Sequence, residues 1–157
     1  MAVARVHVRS WQYGYRGLLP DSYLDSLKPE ERAARYDFDS SDPRRPATLV
    51  AVARGAVCGF ATTAPARDTG AMECGELAGL YVDPDHWGRG IGAALLAAVE
   101  HRLTEQGFSR ALLWVLEGNA RAERFYLRQG WQADGGRRTE EIWGVAVREL
   151  RYHRSLG

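Results

Sequence analysis

The sequence predicts one mixed α/β domain, and three observations predict it. Apolar residues alternate with period two in some stretches and recur at helical spacing in others, so both kinds of element are present. The two kinds interleave along the chain and do not segregate into halves. At 157 residues, 45% hydrophobic and 26% charged, the chain suffices for one buried core, and no break in composition divides residues 1–157.

The elements follow in order. Residues 3–9 alternate, with Ala4, Val6 and Val8 on one face, and read as a first strand. From residue 11 to 36 the pattern is helical. Asp21 offers a capped start, and Pro29-Glu-Glu places proline and acids in a helix's first turn. Residues 37–46 are polar, hold two prolines and form a loop. Residues 48–53 and 57–63 flank Arg54-Gly-Ala56 as a hairpin, and 76–82 are the next strand after a longer connection. Ile91, Leu95, Leu96, Val99 and Leu103 then share a helical face that Gly107 terminates. Ala111 to Leu116 is a continuous apolar strand of the kind buried on both faces. Asn119 caps a helix to about Gln129, and two strands follow near 131–134 and 142–152.

The bulk properties narrow the function. Lys plus Arg number 21 and Asp plus Glu 20, so no bulk field draws the protein to nucleic acid or an anionic membrane. The local pairs Arg44-Arg45 and Arg137-Arg138 read as solvated loop. Cys58 and Cys74 lie in or beside strands and read as buried free thiols. His7, His86, His101 and His153 show no metal-ligand spacing, so no metal is expected. The first residues do not resemble a signal peptide, and no apolar run approaches the ~20 residues of a membrane span. A cytoplasmic location is the default expectation.

Chemistry concentrates in Glu76-Leu-Ala-Gly-Leu-Tyr-Val-Asp-Pro-Asp-His-Trp-Gly-Arg-Gly-Ile-Gly-Ala-Ala-Leu-Leu96. This is an apolar strand, a turn, a glycine cluster and a helix. Glycines 88, 90 and 92 leave backbone amides uncovered where a helix begins, which suits a phosphate group. As a pattern, Gly88 to Ala93 also satisfies the dinucleotide fingerprint G-x-G-x-x-G/A, with Glu117 downstream as a ribose-binding acid. Against that reading, residues 83–87 separate strand from glycine, the unit lies past the middle of the chain, and about 65 residues remain after it, too few for the rest of a doubly wound domain.

The segment Tyr81 to Leu96 resembles the acyl-CoA-binding motif of the GNAT superfamily of N-acetyltransferases: an apolar strand ending in Val-x-Pro, then Arg/Gln-x-x-Gly-x-Gly/Ala opening a helix. Trp87 stands at the Arg/Gln position, which removes one side-chain contact and leaves the amide-bearing positions intact. A second block, Asn119-Ala-Arg-Ala-Glu-Arg-Phe-Tyr-Leu-Arg-Gln-Gly-Trp131, is similar to the family's Asn-x-x-Ala-x-x-Phe-Tyr-x-x-x-Gly-Phe/Trp helix. The resemblance covers roughly the second half of the chain. It implies a mostly antiparallel sheet of six to seven strands flanked by about four helices, splayed between the motif strand and the next. It also implies acetyl-CoA as co-substrate, held by Leu80, Tyr81, Val82, Trp87, Gly88, Arg89, Gly90, Ile91, Gly92, Ala93, Asn119 and Ala122.

By the same resemblance the reaction is amine attack on a thioester, by direct transfer in a ternary complex. An alkylamine with a pKa near ~10 is almost wholly protonated at pH 7, so a base must act on it. Glu76 occupies a position where family members often carry a catalytic glutamate, with Glu73 as the substitute. Tyr126 matches the tyrosine that protonates the leaving thiolate. On the residues alone Glu76 is equally an exposed strand-end carboxylate, Tyr126 a core residue of its helix, and Asn119 a plain helix cap. The acceptor wall is expected from the aromatics Trp11, Tyr15 and Tyr23, whose ring faces attract cations and which equally build small cores. Asp37, Asp39 and Asp42 could attract a polycation, or form a solvated loop. The expected acceptor is the primary amine of a small molecule. A protein amine, and a non-catalytic acyl-CoA-binding module, are the alternatives. Edge pairing into a homodimer is expected through a strand at 142–147.

Overall fold

A single six-stranded sheet organises the chain, its strands lying side by side in chain order except that the sixth is inserted between the fourth and the fifth. The computed structural model describes residues 1–35, 46–66, 74–142 and 144–157. The strands are β1 (Ala47–Ala53), β2 (Ala56–Pro65), β3 (Cys74–Val82), β4 (Arg110–Leu116), β5 (Gln132–Ile142) and β6 (Val145–Ser155). The helices are α1 (Ala2–Gly14), α2 (Asp21–Asp25), α3 (Pro29–Ala33), α4 (Ile91–Glu105) and α5 (Ala120–Arg128). All neighbours pair antiparallel except β3 with β4. No helix among the described residues is long and apolar enough to cross a membrane.

The sheet is covered on both faces. On one, Leu96, Val99 and Leu103 of α4 and Tyr126 of α5 pack with Leu77, Leu113, Val115, Trp131 and Tyr152 in the main core. The indole of Trp131, fully buried, donates to Glu100 at 2.9 Å and so ties the end of α5 to α4. On the other face Trp11, Leu19 and Leu24 pack with Val147, Leu116 and Ile142, while Val3 and Val6 pack on Phe60. Cys58 and Cys74 are buried and form no disulfide.

Three expectations are corrected. Residues 3–9 form the first two turns of α1, not a strand. Ala4, Val6 and Val8 fit a period of two over this short window, but Val3, Val6, His7, Ser10 and Trp11 continue one helical stripe onto the sheet. That packing overrides the strand preference of β-branched residues. Residues 132–142 are one continuous strand. Gly135-Gly136 interrupts the register between Ala133 and Arg137 without ending it, so Arg137 and Arg138 are strand residues and not loop. The dimer strand expected at 142–147 is instead divided between the last residue of β5, Ile142, and the first residues of β6, 145–147, which pair with β5 itself; β6 lies inside the sheet, and among the described strands the edges are β1 and β5. Residues 37–45, with the loop expected there, lie outside the described residues, as does Glu73.

One irregularity positions the site. Thr62 pairs with Gly79 and Thr63 with Leu77, so Ala78 has no partner on β2 and forms a bulge. A one-residue bulge exchanges the faces to which side chains point. Leu77 therefore joins the α4 side, whereas Tyr81 joins the α1 side and Leu80 returns to the α4 side. Glu76, the neighbour of Leu77, shares the α1 side with Tyr81.

Candidate functional site

β3 and β4 pair only over Cys74–Leu77 and Arg110–Leu113. Beyond that the strands part, and a cleft of about 1110 Å³ opens between them. Its walls come from 77–82 of β3, 113–116 of β4, the glycine loop, α5, and residues of α1 and β6. From Ala78 to Val82 the β4-facing backbone of β3 has no strand partner, so an extended chain carrying amides can add there.

The loop at the mouth has the conformation its glycines require. Gly88 and Gly90 take φ of 77° and 79°, and nothing lies within 4 Å of where a Cβ would project from either. Gly90 caps α4 without a side chain. The amides of Ile91, Gly92 and Ala93 belong to the first helical turn, which leaves them without intrahelical acceptors at the edge of the cleft. This cradle fits a pyrophosphate. The Arg89 side chain is exposed and does not line the cleft. Asp83 steadies the approach: its carboxylate accepts from Arg9 Nε at 2.9 Å and from the Asp85 amide. Burial acts to raise its pKa, but these bonds and the Arg9 charge hold it below the usual carboxylate range.

Trp87 is anchored. Its indole donates to the Val82 carbonyl at 2.8 Å, which occupies that acceptor, and the Arg121 guanidinium lies 3.4 Å above its ring. Leu80 lines the α4 side of the cleft near Gly92 and Phe125. The Asn119 side chain accepts from the Ala122 amide at 3.2 Å, a helix cap, and both residues line the cleft.

The candidate catalytic groups lie around the fork. Tyr126 is buried, lines the cleft and has its ring edge-on to Phe125 and Trp131. Burial, reinforced by the nearby Tyr81, raises its pKa, so the phenol stays protonated and can donate. Burial, reinforced by the neighbouring Tyr81, pushes the Tyr15 phenol well up. Glu76 is buried outside the main cleft. It lines an adjoining cavity of about 380 Å³ with Leu112, Trp114, Arg138, Glu140 and Arg151. Trp114, Arg138 and Glu140 line both spaces.

Of the aromatics expected at the acceptor side, Trp11 and Tyr15 line the cleft. Tyr23 does not: its hydroxyl donates to the Ile142 carbonyl at 3.2 Å and its ring packs behind the wall. Asp37, Asp39 and Asp42 lie outside the described residues. Several cleft residues went unrecognised in the sequence. His7 is stacked on Tyr81 with ring centroids 4.6 Å apart, and burial, then Arg32, lowers its pKa well below the ordinary value, leaving a neutral imidazole. Glu149 is buried and accepts from Arg138 at 2.9 Å, and Arg138 in turn lies over Trp114. The alternation of Arg138, Glu140 and Ile142 was the signal for that wall, hidden because 135–141 read as loop.

The Acetyltransferase (GNAT) family model matches residues 10–131. The chain belongs to the GNAT family. Among its relatives, the GNAT protein is 36% identical over 120 residues to the uncharacterized N-acetyltransferase YuaI of Bacillus subtilis, covering 74% of this chain and 66% of that one. It is 30% identical over 95 residues to the phosphinothricin N-acetyltransferase of Streptomyces coelicolor, covering 57% and 56%. Its fold matches that of the PaiA N-acetyltransferase of Thermoplasma acidophilum, solved in complex with coenzyme A, with a TM-score of 0.71 at 21% identity over 97% of this chain and 89% of that one.

Proposed function

We propose that this GNAT protein transfers an acetyl group from acetyl-CoA to a primary amine of a small molecule, in the cytoplasm, by direct transfer in a ternary complex. The observation that carries the reading is the junction of three features in one cleft. These are the amide-lined glycine loop, the unpaired edge of β3 and the buried phenol of Tyr126. Backbone amides 88–93 and the α4 dipole receive the pyrophosphate, and the free edge of β3 receives the pantetheine amides.

Glu76 takes a proton from the acceptor ammonium, directly or through water, and passes it to solvent. The neutral nitrogen attacks the thioester carbonyl. As the tetrahedral adduct collapses, the carbon–sulfur bond breaks and Tyr126 protonates the departing sulfur. The second proton lost by the nitrogen restores the Tyr126 phenol, so the net products are amide, thiol and one proton. The bulge at Ala78 supports the role of Glu76, because it puts that carboxylate on the acceptor face of the sheet beside Arg138 and Glu140. The semi-enclosed wall of Trp11, Tyr15 and Tyr81 suits a compact amine, and the likeness to a phosphinothricin N-acetyltransferase points the same way.

The test is thiol release from acetyl-CoA against a panel of small amines and amine-bearing peptides. Amine-dependent release with small acceptors supports the reading. Release with peptides alone moves the acceptor to protein. Tight CoA binding with no transfer to any amine leaves only a binding module.

A further inference from the structure

We propose that Arg121 on α5, seated on the ring of Trp87, supplies the side-chain cation for the nucleotide phosphates of CoA, with Arg128 about two turns further on as a second. The inference rests on the acetyl-CoA reading and adds to it a role that the acyl-CoA motif does not contain. In this chain the motif position that would carry Arg or Gln is Trp87, so the glycine loop has lost its own long polar side chain. The loop keeps its amides, but no cation of its own enters the cleft, because Arg89 faces solvent.

Arg121 fills that deficit from the opposite wall. It is in the first turn of α5, across the mouth from the loop, and its guanidinium is 3.4 Å from the Trp87 ring centroid. Trp87 is itself fixed by the hydrogen bond to Val82, so the ring is a platform with a set orientation. A guanidinium stacked on an indole keeps its N–H groups in the ring plane and directed outward, which suits bidentate contact with a phosphate. The ring strips water from one face, and this desolvation lowers the Arg121 pKa while leaving the group charged.

The pairing of charges supports the assignment. Among the described residues neither Arg121 nor Arg128 has a carboxylate partner, and both line the cleft. By contrast Arg138, at the β5–β6 end, is engaged by Glu149 and Glu140. Arg121, Phe125 and Arg128 share one helical face, so both guanidinium groups rise from the wall that confronts the glycine loop. The carboxylates of the cleft, Glu140, Glu141 and Glu149, come from β5 and β6, and none of them is paired with Arg121 or Arg128.

The experiment measures binding of CoA and dephospho-CoA by calorimetry at several salt concentrations. It also measures transfer from acetyl-CoA and from a short acetyl thioester that lacks phosphates. The proteins are wild type, Arg121→Ala, Arg121→Lys, Arg128→Ala and Trp87→Leu. Arg121→Ala is expected to weaken CoA binding about tenfold, to flatten its salt dependence, and to cut the preference for acetyl-CoA over the short thioester by a similar factor. Trp87→Leu, which keeps the cation and removes its seat, is expected to give part of that loss, and Arg121→Lys an intermediate value. A larger loss with CoA than with dephospho-CoA assigns Arg121 to the 3′-phosphate, and equal losses assign it to the pyrophosphate. Wild-type affinity and salt dependence in Arg121→Ala overturn the inference and leave the acetyl-CoA reading standing. Failure of the wild type to bind CoA overturns both.

Discussion

At the scale of the residue, burial decides what each titratable group of the cleft can do. Tyr126 has its pKa raised by burial and by Tyr81, so its proton is retained throughout the working range. A retained proton is what a general acid needs. Tyr126→Phe is expected to lower kcat by about 10²-fold or more while CoA still binds, and wild-type kcat/KM should show no loss from this phenol as pH rises to 10. His7 is the opposite case, a base whose folded pKa is depressed by burial and then by Arg32. Its contribution to stability is full above the unfolded value of about 6.5 and is lost as pH falls from there through the folded pKa. Thermal melts between pH 7.5 and 5 should therefore show a steeper acid loss in wild type than in His7→Phe, whose ring still packs on Tyr81 and Phe60. Equal slopes would exclude His7 as the source.

At the scale of the element, the site depends on how α1 and the glycine loop are fastened together. Arg9 of α1 reaches Asp83 at 2.9 Å and Asp85 at 3.1 Å, joining the α1 wall of the cleft to the strand end from which the loop departs. Arg9 is more than a third exposed, so the pair contributes only about 0.5–1 kcal/mol. Because the folded pKa of Asp83 is depressed, that contribution is present above about 4 and lost as pH falls further. Arg9→Ala is expected to lower Tm by a few degrees at pH 7 and by less at pH 3, and to raise KM for both substrates, since it loosens the loop and the wall at once. The elements that shape this site differ in how openly the sequence declares them. α4, β4 and α5 are carried by long apolar stripes, a cap at Asn119 and stops at Gly107 and Gly130, signals that no tertiary contact contradicts. α1 was obscured because its first residues satisfy two periods, Ala4, Val6 and Val8 with period two and Val3, Val6 and His7 with the helical one, and only the sheet beneath them chooses. β5 was obscured because Gly135-Gly136 resembles a loop, whereas Asp134 and Arg151 hold the irregular stretch against β6. With β5 went Arg138 and Glu140. The wall of the cleft built by α1 and β5 was therefore less legible than the glycine loop, whose residues are local in the chain.

At the scale of the whole molecule, the cleft is a wedge held open by two halves of one sheet. β1 to β3 with α1 form one side, and β4 to β6 with α5 form the other. Cys74–Leu77 against Arg110–Leu113 is the seam. Gly92 of α4 faces the ring of Phe125 of α5 across the wedge. A Cβ at Gly92 would lie 3.5 Å from the Phe125 ring and 3.9 Å from Leu80, ordinary contact distances, and its φ is not in the left-handed region. A methyl group is thus accommodated, and Gly92→Ala should stabilise α4 by up to about 1 kcal/mol, or a rise of about 2–4 °C in Tm. A longer apolar side chain has nowhere to go except into the wedge. Gly92→Leu is accordingly expected to keep or raise Tm while abolishing the stabilisation by CoA. That stabilisation in wild type should reach about 2.7 kcal/mol at a hundredfold excess over Kd, or about 5–10 °C. The two variants separate helix propensity from cleft volume. If Gly92→Leu still gains stability from CoA as the wild type does, the ligand enters elsewhere and the wedge is not its site. If it loses that gain with the fold intact, the parting of β3 from β4 is the structural basis of binding.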